Sequence, residues 1–248
     1  MHRFYVDKDQ IQGDTIQIVG SDVNHIRNVL RMKPDDELII CNGQGKDYYC
    51  IIRKMSDGEI TVQKLKEQET GTELKTKITL FQGLPKKDKM ELIIQKAVEL
   101  GVYDIVPVIT KRVIVKLEDR KKEMKKLERW QAIAENAAKQ SGRGVIPKIH
   151  TVKTFTEALG LCGQLDLGLI PYENAQGIGY TKDIMNSLKN YPTVGVFIGP
   201  EGGFEEFEII EAKENKIEPI TLGKRILRTE TAGLAVLSMM MLSLEEEY

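Results

Sequence analysis

Two glycine-bearing segments near the C-terminus place charged side chains where a ligand could bind. The first, residues 199–203, reads Gly-Pro-Glu-Gly-Gly and follows 194–198, an apolar run that is typical of a strand buried on both faces of a parallel sheet. Helical spacing begins after it, so 199–203 is predicted to be a strand-to-helix turn. In open α/β sheets, ligands bind at such turns, beyond the carboxyl ends of the strands. We therefore expect a binding site here.

The second segment, residues 222–232, places Arg228 and Glu230 directly before a helix that is apolar nearly all round, 232–244. A helix that is apolar on every side is buried, so its N-terminus is predicted to lie inside the protein. Buried charges need partners or a ligand. Arg228 and Glu230 therefore either pair with other side chains or contact a bound molecule.

A third loop, residues 171–177, also follows a predicted strand, 166–170. A pocket built from the three loops would offer backbone N–H and C=O groups with few side-chain charges, which suits a flat polar cofactor. The sequence contains neither GxGxxG in these loops nor GxxxxGK[ST] anywhere, so a dinucleotide fingerprint or a phosphate-binding P-loop is unsupported. A glycine pair taken alone is more often a structural turn, and that alternative stays open.

Composition excludes a general cationic surface and gives no sign of a metal site. The chain has 36 Lys and Arg against 37 Asp and Glu, a formal net charge of −1, so nucleic-acid binding would have to be local. The cysteines and histidines lack metal-ligand spacing, and they are Cys41, Cys50, Cys162, His2, His25 and His150. The apolar segment 232–244 is shorter than the ~20 residues that span a bilayer. We expect a cytoplasmic protein with buried cysteines and with neither a membrane nor a metal partner.

Residues 1–73 are predicted to form a small β-rich domain. Strand-like runs occur at 3–6, 15–19, 37–41, 47–54 and 59–65, and Asn42-Gly43 and Asp57-Gly58 supply hairpin turns. One helix interrupts the strands. It is predicted from Ser21, as N-cap, to about Arg31, with an inward face of Val23, Ile26 and Leu30.

Residues 74–248 show alternating strands and helices, after a polar linker predicted at 67–77. The predicted strands are 78–83, 104–109, 145–149, 166–170 and 194–198. The predicted helices are 88–100, 119–140, 155–161, 181–189, 204–216 and 232–244, and in 204–216 the apolar positions are Phe204, Phe207, Ile210 and Ala212. Such alternation predicts an α/β domain with a mostly parallel sheet covered on both faces.

Two basic patches could contact RNA phosphates. Arg27 and Arg31 lie four residues apart in the predicted N-terminal helix, so they would be neighbours on its surface. The segment 111–129, which begins with Lys111 and Arg112, contains nine basic and four acidic residues, and Arg143 follows in a flexible break. Charge runs of this kind are usually solvated helix faces, and that alternative stays open for both patches.

Motifs spread over essentially the whole chain occur here in combination. They are Lys89-Met90-Glu91, Gln95-Lys96, Glu99-Leu100-Gly101, Pro107, Arg129-Trp130, Gln140-Ser141-Gly142-Arg143, Pro147, and the full runs 198–204 and 222–232, with Arg3-Phe4, His25 and Val29-Leu30-Arg31 near the N-terminus. Together they closely resemble the ribosomal RNA small subunit methyltransferase E family. The two C-terminal motifs are specific, whereas the N-terminal ones are only suggestive.

The resemblance implies an S-adenosylmethionine-dependent enzyme that methylates N3 of a decoding-region uridine in 16S rRNA, within the small ribosomal subunit or its precursor. It also implies a PUA-like RNA-binding β-barrel domain, a SPOUT-type α/β domain with a C-terminal trefoil knot, and a homodimer. Pattern alone would not predict the knot, because threaded chains are nearly absent among folds.

Carried over residue by residue, the family's cofactor pocket falls on the loops already selected. Its predicted members are Ile170, Pro171, Ile198, Gly199, Glu201, Gly202, Leu222, Gly223, Ile226, Leu227, Arg228, Thr231 and Ala232. The predicted RNA-binding residues are Arg3, His25, Arg27, Arg31, Lys111, Arg112 and Arg143. The sequence departs from the family at His2 and Asn24, which leaves the individual RNA contacts of the first domain open.

Methylation at N3 requires the imide proton to leave, and the negative charge then spreads over O2 and O4 of the uracil. A fixed guanidinium stabilises such charge, and Arg228 is predicted to do so. Glu201 and Glu230 are the candidate bases, with solvent as the alternative. A target base in folded rRNA would also have to leave its stack.

Two other classes compete with this interpretation. A non-catalytic RNA-binding or assembly protein would explain the basic patches, but it assigns no role to the two glycine-bearing segments. A nucleotide-dependent enzyme of the doubly wound type would explain the sheet, but it lacks the phosphate motifs.

Overall fold

The computed structural model describes residues 1–86, 88–113, 120–173, 175 and 177–245. The chain divides into two units. One contains residues 1–73 together with 138–146, and the other contains 74–137 and 147–248. Segment 138–146 therefore belongs to the first unit, although it follows most of the second domain's predicted first half in the sequence.

The first unit is built on a six-stranded sheet. Its strands are β1 (Arg3–Tyr5), β2 (Ile11–Gln12), β3 (Thr15–Val19), β4 (Glu37–Cys41), β5 (Lys46–Met55) and β6 (Glu59–Glu69). The order is β1-β4-β5-β6-β3-β2, and all pairs are antiparallel except β1 with β4. Alternate apolar residues of these strands fill one core, including Ile16, Ile18, Leu38, Ile40, Ile52, Ile60 and Val62.

Polar contacts explain why segment 138–146 belongs to this unit. The side chain of Arg143 pairs with Glu73, and Glu73 also accepts a hydrogen bond from Gly144 N–H at 2.8 Å. Gly45 N–H donates to Gly144 O at 2.9 Å, and an isolated bridge joins Gln44 to Val145. The strand predicted at 145–149 is therefore shorter, because its first residues bond to the first unit.

The N-terminal helix differs from the prediction. Helix α1 (Ser21–Asn24) passes directly into a π-helical turn, His25–Val29, in which Leu30 N–H donates to His25 O. Ser21 is the first helical residue, not the cap, which is Gly20 with φ of 78°. Arg31 lies beyond the turn with a left-handed φ of 55°. The prediction that Arg27 and Arg31 are neighbours on the surface of one helix is therefore wrong. Val23 and Ile26 are buried, as expected.

The second unit alternates strands and helices as predicted. The strands are β7 (Lys77–Gly83), β8 (Asp104–Ile109), β9 (Lys148–Ile149), β10 (Lys153–Thr154), β11 (Leu167–Pro171), β12 (Thr193–Ile198) and β13 (Ile217–Ile220). The helices are α2 (Lys89–Glu99), α3 (Arg120–Gln140), α4 (Phe155–Cys162), α5 (Ile178–Ser187), α6 (Glu206–Glu214) and α7 (Thr229–Leu244). The order β10-β8-β7-β12-β11-β13 is parallel throughout, and β9 pairs with β8.

The central strands of this sheet are buried. The rings of Phe81 on β7 and Phe197 on β12 stack with centroids 4.5 Å apart, and Phe155 packs edge-on against Phe197. Where β7 ends, a Cβ at Gly83 would lie 2.7 Å from the nitrogen of Pro200. Gly83 therefore allows the end of β7 to pass closely beside the loop that follows β12.

Helix α6 turns a different face inward from the one its apolar spacing suggests. Phe204 and Ala212 are buried, but Phe207 and Ile210 are 54% and 52% exposed. The buried face instead carries Ile209 and, unexpectedly, Glu208, which accepts hydrogen bonds from the backbone N–H groups of Lys111 and Glu205. A buried carboxylate with satisfied hydrogen bonds sets the helix orientation that apolar periodicity alone does not.

Helix α7 is buried along one stripe and open along the other. Val236, Leu237 and Met240 are fully buried, whereas Leu242 is 78% exposed. The expectation of a helix buried on every side is therefore wrong for the single chain, in which six of the sixteen residues of α7 are buried.

Cys41, Cys50 and Cys162 are buried free thiols, as predicted. Burial raises the pKa of Cys50 and of Cys162 to about 12, so both stay protonated at neutral pH. None of the helices in the described part of the chain is long and apolar enough to cross a membrane. The trefoil knot stays a prediction.

Candidate active site

The three selected loops all begin at the carboxyl ends of strands in the parallel sheet. They follow β11, β12 and β13, which are neighbours in the order β12-β11-β13 and run in the same direction. Ile170 and Ile198, at the ends of two of these strands, are buried. Of the loop at 171–177, Asn174 and Gln176 lie outside the described residues. The structure therefore brings the loops together at carboxyl strand ends, where ligands bind in α/β sheets.

A buried hydrogen-bond chain ties two of these segments to β7. Gln82 Nε2 donates to Thr229 Oγ1 at 2.9 Å, and the Thr229 hydroxyl donates to the carbonyl oxygen of Gly199 at 2.6 Å. Gln82 and Thr229 are 0% and 4% exposed. The chain fixes the first residue of α7 against the turn after β12, so it sets the spacing of the two glycine-bearing segments.

Sequence reasoning missed both Gln82 and Thr229. A signal did exist, because Gln82 is a polar residue at the end of an otherwise apolar buried strand. Its Oε1 is buried and has no hydrogen-bond partner among the described residues. Such an atom calls for an ordered water or a ligand group nearby.

An ammonium group joins the two candidate bases. Lys89 Nζ, at the start of α2, lies 3.2 Å from Glu201 Oε1 and 3.2 Å from Glu230 Oε2. Glu201 also accepts hydrogen bonds from the backbone N–H of Lys86, at 3.1 and 3.3 Å. Sequence reasoning noted Lys89 only within a motif and gave it no role. The Lys89 cluster, meaning Lys89, Glu201 and Glu230, connects both glycine-bearing segments to α2.

Hydrogen bonds keep both carboxylates ionised. Burial by itself would raise the pKa of Glu201, but hydrogen bonds from its own N–H, from Lys86 N–H and from the Lys89 ammonium outweigh burial and lower the pKa. The pKa of Glu230 is lowered by its own backbone N–H at the start of α7, against burial, and then by Lys89 and the charge of Arg228. The pKa of Lys89 is raised by its bonds to Glu230 and, against burial, to Glu201.

These shifts predict how acid affects stability. A carboxylate whose folded pKa is lowered stabilises the fold above its unfolded pKa, about 4.3 for Glu, and this stabilisation is lost as pH falls through the folded value. We expect Lys89→Met to lower the melting temperature most at neutral pH, with the deficit shrinking below about pH 4 as Glu201 and Glu230 become protonated. Thermal unfolding between these pH values measures the difference. Lys86→Met is the matched control, since Lys86 contacts Glu201 through its backbone; a pH-independent deficit would contradict the assignment.

Arg228 lies at the mouth of the second segment. It is the N-cap residue of α7, with extended backbone, and its side chain is exposed although Thr229 beside it is buried. Its charge lowers the pKa of Glu230, which places it within electrostatic reach of the Lys89 cluster. The N-terminus of α7 is therefore anchored inside the unit through Thr229, while Arg228 faces outward from it.

The remaining predicted cofactor residues line two open loops. Gly202 and Gly223 are exposed, and Ile226 is 89% exposed. Gly203 and Gly223 have φ of +69° and +105°, with no atom within 4 Å of the position that a Cβ would take. These loops present main chain and open space, which fits a ligand that is held mainly by backbone groups. The other members, Pro171, Leu222, Leu227 and Ala232, are half-buried and Thr231 is exposed.

Two residues predicted to bind RNA form hydrogen bonds at the first loop and at helix α6. Arg112 donates to the carbonyl oxygen of Gly202 at 2.6 Å and to Glu205 at 2.9 Å. The backbone N–H of Lys111 donates to the buried Glu208 at 2.9 Å. RNA contacts of Lys111 and Arg112 stay predictions. Residues 114–119 of the predicted basic patch lie outside the described residues, and so does the side chain of Arg120.

In the first unit, several predicted RNA-binding residues have protein partners. Arg3 pairs with Asp47 at 2.7 Å and donates to Gly142 O, and the Arg143 side chain is 4% exposed in its pair with Glu73. An RNA contact by either guanidinium would require these pairs to open. Arg27 pairs with Asp57 at 2.7 Å and is partly exposed.

His25 and Arg31 are exposed, and the His25 ring packs edge-on against Phe4. RNA binding by all these residues stays a prediction. Within the described ranges, no group of three or more His, Cys, Asp or Glu side chains could hold a metal ion.

Comparison with known proteins identifies both units. The model of the RNA methyltransferase domain family matches residues 72–241, and the model of the RNA methyltransferase PUA domain family matches residues 18–65. The ribosomal RNA small subunit methyltransferase E of Bacillus subtilis strain 168 is 38% identical, over 96% of this chain and 95% of its own. That of Aquifex aeolicus is 32% identical, over 97% and 99%.

Solved structures agree with this result. The ribosomal RNA small subunit methyltransferase E from Neisseria gonorrhoeae, crystallised with S-adenosyl methionine, has a TM-score of 0.81 at 34% identity, covering 98% of this chain and 97% of that chain. A putative methyltransferase from Legionella pneumophila in complex with the same cofactor has a TM-score of 0.78 at 31% identity, covering 97% of both chains. The predicted PUA-like domain and SPOUT-type α/β domain are confirmed. The chain belongs to the ribosomal RNA small subunit methyltransferase E family.

Proposed function

We propose that this rRNA methyltransferase transfers a methyl group from S-adenosylmethionine to N3 of a decoding-region uridine in 16S rRNA, forming 3-methyluridine. The observation that carries the proposal is the arrangement of two glycine-bearing loops, with left-handed backbone at Gly203 and Gly223, beside Arg228 and the Lys89 cluster. The two related structures crystallised with the cofactor support the choice of methyl donor.

The residues present fit this cofactor. Its methionine and adenosine groups are polar and carry many hydrogen-bonding atoms, and the loops 199–203 and 222–228 offer backbone groups with open space at Gly203 and Gly223. Gln82 Oε1 adds a buried acceptor without a partner among the described residues. When bound, S-adenosylmethionine supplies an electrophilic methyl group on its sulfonium.

The protein's own residues stabilise the negative charge on the uracil and accept its imide proton. Arg228 stabilises the negative charge that develops on O2 and O4 as the imide proton leaves. Glu201 or Glu230 accepts that proton, or passes it to solvent. Because its pKa is lowered, each carboxylate is a weak base, and it accepts the imide proton only when it is in close contact with N3. Stabilisation of the uracil anion therefore contributes more to the rate than the strength of the base does.

Exposed cations of each unit are proposed to contact the RNA. His25, Arg31 and partly exposed Arg27 contribute from the PUA-like domain, and Lys111 from the second unit. Phosphate contacts of this kind weaken as counterions compete, so binding of the small ribosomal subunit should fall steeply as salt is raised. A cytoplasmic location is also part of the proposal, and the ribosomal substrate supports it.

A homodimer is part of the proposal. The open stripe of α7, with Leu242 78% exposed, and the exposed Ile226 are apolar surface that a second copy would cover. We expect a solution mass near twice the chain mass of 28.1 kDa by sedimentation at working concentration. A monomer under these conditions would contradict the dimer without affecting the proposed reaction.

The deciding experiment compares 16S rRNA from cells with and without this protein by mass spectrometry. One 3-methyluridine should be missing without it and should return when purified protein and S-adenosylmethionine are added to the isolated subunits. An unchanged modification pattern, or a missing methyl group at a position other than uracil N3, would overturn the proposal. Calorimetry with S-adenosylmethionine excludes the non-catalytic alternative if it detects binding.

A further inference from the structure

A cavity of about 220 Å³ opens beside the loop that follows β12. Its walls come from the end of β7, from the segment after β8 and from the turn 199–203. Three of the lining residues are apolar and three are charged: Leu84, Val113, Pro200, Lys86, Arg112 and Glu201. Glu201 belongs both to this cavity and to the Lys89 cluster, so the cavity adjoins the proposed reaction centre.

The cavity walls are held in place by backbone bonds. Leu84 N–H donates to Val108 O at 2.9 Å, and Val113 N–H donates to Thr110 O at 3.1 Å. Leu84 and Pro200 are buried, while Val113 is half-buried at the opening. Apolar side chains on fixed backbone form a slot suited to the face of a planar ring.

The charged residues differ in how firmly they are held. The Arg112 guanidinium is anchored by Gly202 O and Glu205, which use two of its five N–H donors. The Glu205 carboxylate, held next to it, raises the pKa of Arg112. Lys86 is exposed at the rim. Glu201 is fixed by Lys86 N–H and Lys89 and is ionised at neutral pH.

On the basis of the proposed function, we infer that this cavity receives the extruded target nucleotide, with the base between Leu84, Val113 and Pro200 and its phosphate beside Lys86 and Arg112. The chemistry matches a uracil better than a cytosine. Uracil carries an N3–H group, which can donate a hydrogen bond to the ionised carboxylate of Glu201. Cytosine carries an unprotonated N3 acceptor at the same position, which would face a carboxylate without a proton between them.

This inference assigns Glu201 a role in recognising the N3–H group before that proton leaves. It also gives Arg112 two tasks, since the same guanidinium that supports Gly202 supplies positive charge to the substrate. Flipping is required because N3 of a paired or stacked base is not accessible to a methyl donor held by main-chain loops.

The test fills the cavity without touching the charged residues. Val113→Trp should leave the calorimetric dissociation constant for S-adenosylmethionine unchanged and lower methylation of small subunits lacking the modification by about 10²-fold, as expected when a substrate is displaced by about 1 Å. Ile210→Trp, on the exposed face of α6, adds the same ring away from the cavity and should retain wild-type activity. Wild-type turnover by Val113→Trp with an intact fold would overturn the inference.

A second variant covers the case in which Val113→Trp fails to fold or loses the cofactor. Lys86→Glu reverses a charge at the exposed rim without a change in packing and should raise KM for the ribosomal substrate by about tenfold with kcat retained. An unchanged KM would also overturn the inference. If the wild-type protein binds S-adenosylmethionine but methylates no uridine in the same assay, the proposed function itself fails, and the two failures are thereby distinguished.

Discussion

Replacement of Arg228 by alanine is expected to lower kcat by about 10²–10³-fold, with little change in affinity for S-adenosylmethionine. This is the size of effect seen when one preorganised donor to a developing anion is removed, about 2.7–4 kcal/mol. The physical reason is that Arg228 sits at the N-cap of α7, where its charge lowers the pKa of Glu230. Single-turnover methylation of isolated small subunits, beside calorimetry with the cofactor, measures both quantities.

Two further variants separate charge from geometry. Arg228→Lys retains the positive charge but not the planar guanidinium, so its rate should fall between those of wild type and Arg228→Ala. Arg225→Ala removes an exposed arginine from the same loop and should have no effect on kcat. Near-normal turnover by Arg228→Ala at unchanged cofactor affinity would show that another group stabilises the uracil anion.

The state of the two carboxylates makes the effect of Arg228 larger. Glu201 and Glu230 are both ionised at neutral pH, because Lys89 and backbone N–H groups stabilise their charge. A base of lowered pKa gains little by accepting a proton from a weak acid such as an imide. The anionic form of the uracil must therefore be stabilised directly, and Arg228 is the cation placed to do so.

Much of this site could be predicted from the sequence because its backbone follows local rules. The apolar runs before residues 199 and 171 gave strands β12 and β11, whose parallel pairing brings their loops to one edge. Gly203 and Gly223 have positive φ angles. Glycine adopts such angles readily, so the residue type itself indicates them. Loops at the ends of parallel strands need no knowledge of tertiary contacts to be selected.

The side-chain contacts could not be predicted in the same way. Lys89 and Glu230 are 141 residues apart, and Gln82 and Thr229 are 147 apart, so nothing local indicates that either pair meets. Helix α6 misled the periodicity argument, because buried Glu208 has its partners at Lys111 and Glu205 rather than in a regular apolar stripe. In the first unit, the helix continues after Asn24 as a π-helical turn, in which Leu30 N–H bonds to His25 O. This hydrogen-bond pattern ends the helix before Arg31, and the amino-acid composition does not indicate it.

Loss of the Thr229 hydroxyl is expected to weaken both the fold and the cofactor site. Thr229→Val removes the donor to Gly199 O and leaves that carbonyl and Gln82 Nε2 with one partner fewer, at a cost of about 1–3 kcal/mol for buried polar groups. The melting temperature should fall by roughly 2–4 °C for each kcal/mol. Since the same bond sets the spacing of the two glycine-bearing segments, we expect the dissociation constant for S-adenosylmethionine to rise by about tenfold, or about 1.4 kcal/mol.

Two controls distinguish loop spacing from a general loss of stability. Thr229→Ser retains the hydroxyl and should restore cofactor affinity close to that of wild type. Ser238→Val removes a hydroxyl that bonds to Leu234 O on the exposed stripe of the same helix, so it should leave cofactor binding unchanged. If Thr229→Val lowered the melting temperature but bound S-adenosylmethionine as wild type does, the chain from Gln82 to Gly199 would serve the fold alone. An affinity lost with valine and regained with serine would instead place Gln82 and Thr229 among the residues that position the methyl-donor loops, although neither lies in the loops themselves.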